Sequence, residues 1–175
     1  GGPSAASPFG VYRPATVDAV MVPQYGHVNG RIAQVESVAP DGVPSRRDAA
    51  ARVGPRGEPP APAGALVDVP LGAFVGTRSG DKGGDANLGV YARNDAGWAW
   101  LDTELTVERL QELLPETAAL AVDRHRFPNL RSLNFVIHGL LQEGVAASTR
   151  QDAQAKALGE WLRARRVSVP RSVVD

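Results

Sequence analysis

Ten consecutive residues hold the densest set of reactive and ligand-binding groups in this chain. Arg78-Ser-Gly-Asp-Lys-Gly-Gly-Asp-Ala-Asn87 sets two cations, two carboxylates and a carboxamide among Gly80, Gly83 and Gly84. Arg78 and Lys82 are suited to a carboxylate or phosphate. Asp81 and Asp85, four apart, suit proton transfer, the orientation of Lys82, or a hard cation such as Mg²⁺. Asn87 adds a donor for a carbonyl oxygen. The alternative is that Arg78–Asp81 and Lys82–Asp85 pair with each other and only fix a loop. Known phosphate loops do not fit: no G-x-x-x-x-G-K-[ST] and no G-x-G-x-x-G is present here. Ser79 lacks a G-x-S-x-G elbow, so it reads as a binding group and not as a nucleophile.

The groups need a frame. An apolar run, Leu71 to Val75, leads into the stretch and Leu88 to Tyr91 leads out, so the reading is a glycine-rich loop between strands Val67–Thr77 and Asn87–Arg93. Thr106 predicts an N-cap for a helix over Val107–Leu114, with Leu105 stapled onto Leu110 and Pro115 ending it. Leu120–Arg124 reads as a short strand and Leu133–His138 as a half-buried one. Within the latter, Asn134 faces away from Leu133 and Phe135. His138 closes the strand beside Gly139. Ser148 or Thr149 predicts a helix to about Arg165. Its apolar stripe would be Ala153, Ala157, Leu158, Trp161 and Leu162, with Asp152 and Lys156 as an i, i+4 pair. Val167–Val169 is a final edge strand. Strand pairs alternating with helices predict an α+β sandwich, an antiparallel sheet with two helices on one face.

Residues 1–40 form a β-rich extension. Val17–Val22 and Ile32–Val38 are its apolar runs, the second strand-like, and Gly26, Asn29 and Gly30 mark a hairpin turn. Residues 1–7 read as a cut end. Residues 41–65, rich in Pro, Gly, Ala and Arg, form a linker, and the main domain occupies 66–170.

Three ordered segments resemble the C-terminal, AtuA-like domain of the acyclic terpene utilisation family. They are RSGDKGGDANLGVYAR at 78–93, Phe127-Pro-Asn-Leu-Arg-Ser-Leu-Asn-Phe-Val-Ile-His-Gly139, and Arg150-Gln-Asp-Ala-Gln-Ala-Lys-Ala-Leu-Gly159. The resemblance implies a ferredoxin-like fold. It also implies a role near branched or terpenoid acyl substrates handled as CoA thioesters, with CoA present as part of the substrate. The chemistry would be addition, elimination or C–C cleavage beside the acyl carbon, of lyase or hydratase type. Asp81, Lys82 and Asp85 would then be catalytic, and Arg78, Ser79, Asn87, Asn134 and His138 would bind substrate. A large AtuA-family domain or subunit is the implied partner, this chain being a small subunit or fragment in an oligomer. The alternative is a non-catalytic docking or oligomerisation module.

Composition bounds the rest. Nineteen basic and nineteen acidic residues give zero formal net charge, and nothing here suggests an electrostatic nucleic-acid binder, which would need a basic face. Only two of the nineteen basic residues, Lys82 and Lys156, are lysines, and both fall inside the resembling segments. There is no cysteine, so thiolate and Cys-based zinc chemistry are out, and His27, His125 and His138 lack ligand spacing. No apolar run approaches the ~20 residues that span a bilayer. The expectation is a cytoplasmic protein that binds neither membrane nor metal, apart from the Mg²⁺ option at Asp81 and Asp85.

Overall fold

The computed structural model describes residues 10, 15–36 and 61–175. Its contacts divide the chain into two units, Tyr12–Gly54 and the remainder. In the smaller unit, β1 (Gln24–Val28) and β2 (Arg31–Val35) pair antiparallel. Asn29 and Gly30 turn between them with φ of 49° and 74°. Two successive positive φ values suit a two-residue hairpin, which is why Asn-Gly sits there. The first strand is therefore Gln24–Val28, and the run Val17–Val22 is not a strand. Most of the expected 41–65 linker lies outside the described residues.

Among the described residues the larger unit is α+β, with every strand pair antiparallel and three α-helices. The four-stranded sheet runs β4 (Val75–Lys82), β5 (Asp85–Ala92), β7 (Ser132–Ile137), β6 (Val122–Phe127). β3 (Leu66–Pro70) pairs with β8 (Arg166–Pro170) in a separate ribbon. The helices are α1 (Asp95–Glu104), α2 (Val107–Leu113) and α3 (Leu158–Ala164).

Strict alternation builds the core. Ala86, Leu88 and Val90 of β5 stand opposite Ile137, Phe135 and Leu133 of β7, and all six are buried. Leu101, Leu105, Leu110, Leu158 and Leu162 of the helical layer join the same cluster. Phe74 meets Trp100 edge to face at 5.3 Å, a favoured aromatic geometry. Arg124 secures the end of α1: its guanidinium donates to the backbone oxygens of Leu105 (2.9 Å) and Asp102 (2.7 Å). Helix C-terminal carbonyls lack intrahelical partners, so a cation there is stabilising.

Several boundaries differ from expectation. The run Val67–Thr77 is two strands, because a 3-10 turn over Leu71–Ala73 breaks it. The strand expected at 120–124 sits at 122–127. Helix α1 was not expected at all. Its start is explicit, with Asn94 Oδ1 accepting from Gly97 N at 2.7 Å. Thr106 caps α2 as expected, through Arg109 N. The long helix from 148 is only Leu158–Ala164. Asp152 turns its carboxylate onto the backbone N–H groups of Lys156 and Ala157 (2.9 and 3.0 Å), and Ala155 is left-handed at φ 51°. Asp152 thus holds a turn instead of an i, i+4 pair with the Lys156 side chain. Trp161, expected in the apolar stripe, is 45% exposed.

Candidate functional site

The charged stretch is a hairpin and not a loop. β4 continues to Lys82 and β5 resumes at Asp85, so only Gly83 and Gly84 turn. Both glycines are demanded by the chain itself. Gly83 has φ 65°, and a Cβ on Gly84 would lie 2.2 Å from the backbone oxygen of Gln142. Gly84 O in turn accepts from Leu141 N at 2.9 Å.

Running as strands, the stretch sends its side chains alternately to opposite faces. Ser79 and Asp81 pair across the ladder with the buried Leu88 and Ala86, so they point to the helix side. Ser79 Oγ accepts from Gly159 N (3.0 Å) and donates to Lys156 O (3.2 Å). It supplies the cap that α3 lacks locally, since the N-cap residue is Ala157. The same contact is tight: a Cβ on Gly159 would meet Thr77 Oγ1 at 2.6 Å.

Arg78, Lys82, Asp85 and Asn87 lie on the open face, with Asn134 of β7 and His125 and Asp123 of β6. Asp81 and Asp85, the pair considered for Mg²⁺, are therefore on opposite faces. Among the described residues no group of three or more His, Asp or Glu side chains is placed to hold a metal ion. Lys82 Nζ donates to Asp81 O at 2.8 Å.

Two clusters occupy the open face. At its centre is a shallow pocket of about 250 Å³. Arg78, Tyr91, Phe127, Leu130 and Asn134 wall it, and Gly89 forms part of the floor. Gly89 separates Arg78 on β4 from Asn134 on β7, its ladder partners on either side. Tyr91 lies across Gly76, whose absent Cβ would sit 2.1 Å from the ring. Asn87 Nδ2 donates to Asn134 Oδ1 at 2.7 Å. Among the described residues Arg78 has no hydrogen-bond or ion-pair partner.

At the turn end of the sheet, His138 is held by two carboxylates. Its Nδ1 lies 3.1 Å from Asp85 Oδ2 and its Nε2 lies 3.0 Å from Asp123 Oδ2. Asp85 Oδ1 also accepts from Gly139 N at 2.8 Å. The Gly139 amide is the main reason that Asp85 titrates below its ordinary value, and His138 adds to it. Asp123, then Asp85, raise the His138 pKa. A ring nitrogen aimed at each carboxylate is the arrangement of an imidazolium.

Of the residues singled out in the sequence, the structure joins Arg78 to Asn134 in the pocket, and Asp85 to His138. Asn87 touches Asn134, and Ser79 and Asp81 stand apart on the helix side. Gly89, Tyr91, Phe127 and Leu130 were not anticipated as pocket residues, nor Asp123 as a His138 partner. The signal for Asp123 is register: it pairs with Val136, two residues before His138 on the same face.

The profile of the AtuA ferredoxin-like domain family matches residues 69–168, more than half of the chain. No curated protein and no solved structure matches it. Among the described residues no helix is long and apolar enough to cross a membrane.

Proposed function

The chain belongs to the AtuA ferredoxin-like domain family, and on that premise we propose that it is the substrate-binding small subunit or C-terminal domain of an enzyme acting on a branched or terpenoid acyl substrate. One observation supports this most: the guanidinium of Arg78, which has no partner among the described residues, stands at an apolar pocket on the face of the sheet opposite the helices. Buried-face sheets do not need such a feature, and a cation beside aromatic walls complements an anionic or carbonyl head with an apolar tail. The acyl group, carried as a CoA thioester, lies across Gly89 with its carbonyl toward Arg78 and Asn134. Lys82, Asp85 and His138 supply the proton-transfer groups for addition, elimination or C–C cleavage beside the acyl carbon. Asp81 and Ser79 act from the other face by fixing the hairpin.

The pocket lies below the ~300–1,000 Å³ usual for drug-sized ligands. The remainder of the substrate therefore needs a second surface, which the large family domain provides. Reconstitution tests this: the chain is expressed with and without an adjacent large AtuA-family domain, and association and turnover of branched acyl-CoAs are measured. The complex should turn over substrate and the isolated chain should not. Equal turnover by both would overturn the divided site, and none by either would overturn the enzymatic reading.

A docking module is the second reading. It is favoured by the β1–β2 hairpin, where Tyr25, Val28, Ile32 and Val35 are each at least 50% exposed. In that case the complex would assemble through residues 24–35, and Tyr25→Ser with Ile32→Ser would abolish association.

A further inference from the structure

We infer that Gly76 determines which acyl tails the open-face pocket accepts: with no side chain there, the ring of Tyr91 lies down over β4 and leaves a slot between itself and Phe127 for an apolar tail. This rests on the acyl reading of that pocket, and goes further by assigning its tail end and the residue that keeps it open.

The ladder sets the geometry. One row across the open face runs Gly76, Tyr91, Ser132, Phe127. A strand side chain can lean onto either of its cross-strand neighbours. Tyr91 leans onto Gly76, where a Cβ would lie 2.1 Å from Cζ, 2.3 Å from Oη and 2.7 Å from Cε1 of the ring. Gly76 is buried in consequence, although it belongs to the open face. The other neighbour, Ser132, is left as part of the pocket. Its hydroxyl donates to Leu130 O at 2.8 Å, so its hydrogen is spent outside the slot.

Tyr91 and Phe127 stand two strands apart, about 9–10 Å at the backbone. A chain that touches both rings needs about 7–8 Å, two carbon–carbon contacts. The slot therefore exists only while Tyr91 lies toward β4; over Ser132 the same ring would fill it. Arg78, Gly89 and Asn134 form the next row on this face, about 7 Å along the strands. A carbonyl on that row sends a short branched tail into the slot.

The test uses the full 175-residue chain and two probes with one head and different tails, the N-acetylcysteamine thioesters of 3-methylbutanoate and of acetate. Amide NMR shifts of Gly89 and Ser132 locate and quantify binding. The longer tail should bind more tightly on the order of tenfold, through burial of its extra carbons, and it alone should move Ser132. Equal affinity, shifts centred elsewhere, or no binding of either thioester would overturn the inference.

Gly76→Ala tests the residue itself. Position 76 is extended strand that alanine adopts, and the atoms in its way are the free end of one side chain. The Tyr91 ring should swing off β4, losing its NOE contacts with residue 76. The tail preference should fall to near parity while the acetyl thioester binds as before. Adding Tyr91→Ala removes the obstruction and should restore part of the preference, a rescue that a merely structural glycine would not give. Ser132→Leu fills the slot without touching Gly76 and should also abolish the preference. A Gly76→Ala chain that keeps the wild-type preference or fails to fold, a double variant no better than the single one, or a Ser132→Leu chain that still discriminates would each overturn the assignment.

The functional reading fails separately. Tail discrimination without acyl-CoA turnover by the complex would sink the enzyme alone. Turnover of acetyl-CoA and 3-methylbutanoyl-CoA with equal efficiency, unaltered by Gly76→Ala, would sink the tail slot alone.

Discussion

Arg78 and Ser79 are neighbours in sequence and face opposite sides of the same sheet. Ser79 is fully employed, capping α3 through Gly159 and Lys156, while Arg78 has no partner among the described residues. The contrast holds along the strands. Phe135 is buried among the core leucines, whereas Asn134, one residue earlier, lines an open pocket. Gly159 on the helix side has Thr77 Oγ1 in the place of a Cβ, whereas Gly80 on the open face has nothing within 4 Å. One face is used up by the fold and the other has unspent valence. Groups whose hydrogen bonds are all taken hold structure, and those with capacity left over are where a ligand can gain.

The largest test of that division is a pair of substitutions one residue apart. Phe135→Ala should cost about 3–5 kcal/mol, because it empties a packed site. Asn134→Ala should cost about 1 kcal/mol or less, losing one half-exposed hydrogen bond. Urea midpoints measure both. Equal costs would mean that the open face is part of the core.

Next come the two glycines of the hairpin. Gly84→Ala should destabilise by about 1–3 kcal/mol, since its Cβ would meet a backbone carbonyl that cannot step aside. Gly80→Ala should lie within about 0.5 kcal/mol of wild type. A tolerated Gly84→Ala would show that the segment after β7 yields, and that the turn does not depend on it.

Ser79→Ala should cost about 1–2 kcal/mol through the uncapped start of α3, with ligand binding on the open face unaltered. A loss of binding at unchanged stability would return Ser79 to the site. By the same reasoning Trp161→Ala, on an exposed helix face, should cost well under the several kcal/mol of a buried aromatic.

Sequence pattern was most legible where one physical signal ruled. The alternation in Leu88–Tyr91 and Leu133–Ile137 marked strands and their buried side, and Thr106 marked a cap. It was least legible where two signals competed. Ala153, Ala157 and Leu158 keep a helical spacing, but Asp152 satisfies nearby backbone amides and Ala155 turns left-handed. Helix α1 hides behind Gly97 and two tryptophans, which are weak helix formers, although Asn94 and Asp95 signal its start. The site was legible as composition and not as geometry. Adjacent charges in 78–87 suggested one cluster, and the two-residue period divided them between faces. Asp123 could not be joined to His138 without the register of β6 on β7.

The smallest expected effect is a pH dependence, and its sign follows from the two shifted groups. His138 is raised above 6.5, first by Asp123 and then by Asp85. Its contribution is complete below pH 6.5 and is lost as pH rises through the raised value. Asp85 is lowered below 3.8, first by the Gly139 amide. Its contribution is complete above pH 3.8 and is lost as pH falls through the lowered value. Both are therefore present between pH 3.8 and 6.5. The groups facing His138 are these two carboxylates, with Lys82 opposite Asp85 across the hairpin. The side chains of His138, Asp85 and Asp123 are 41%, 37% and 61% exposed, so water screens the cluster and the effect on the melting temperature is small. Neutral imidazole can donate to only one carboxylate, and Asp123, the more exposed partner, is the one to be released. The melting temperature of the wild type should decline on the alkaline side of neutrality more than that of His138→Gln or Asp123→Asn, with the acid side altered less. Superimposable profiles for all three proteins would show that the cluster is a solvated contact. It would then belong with the unspent groups of the open face, and no longer among those that fasten the turn to the sheet.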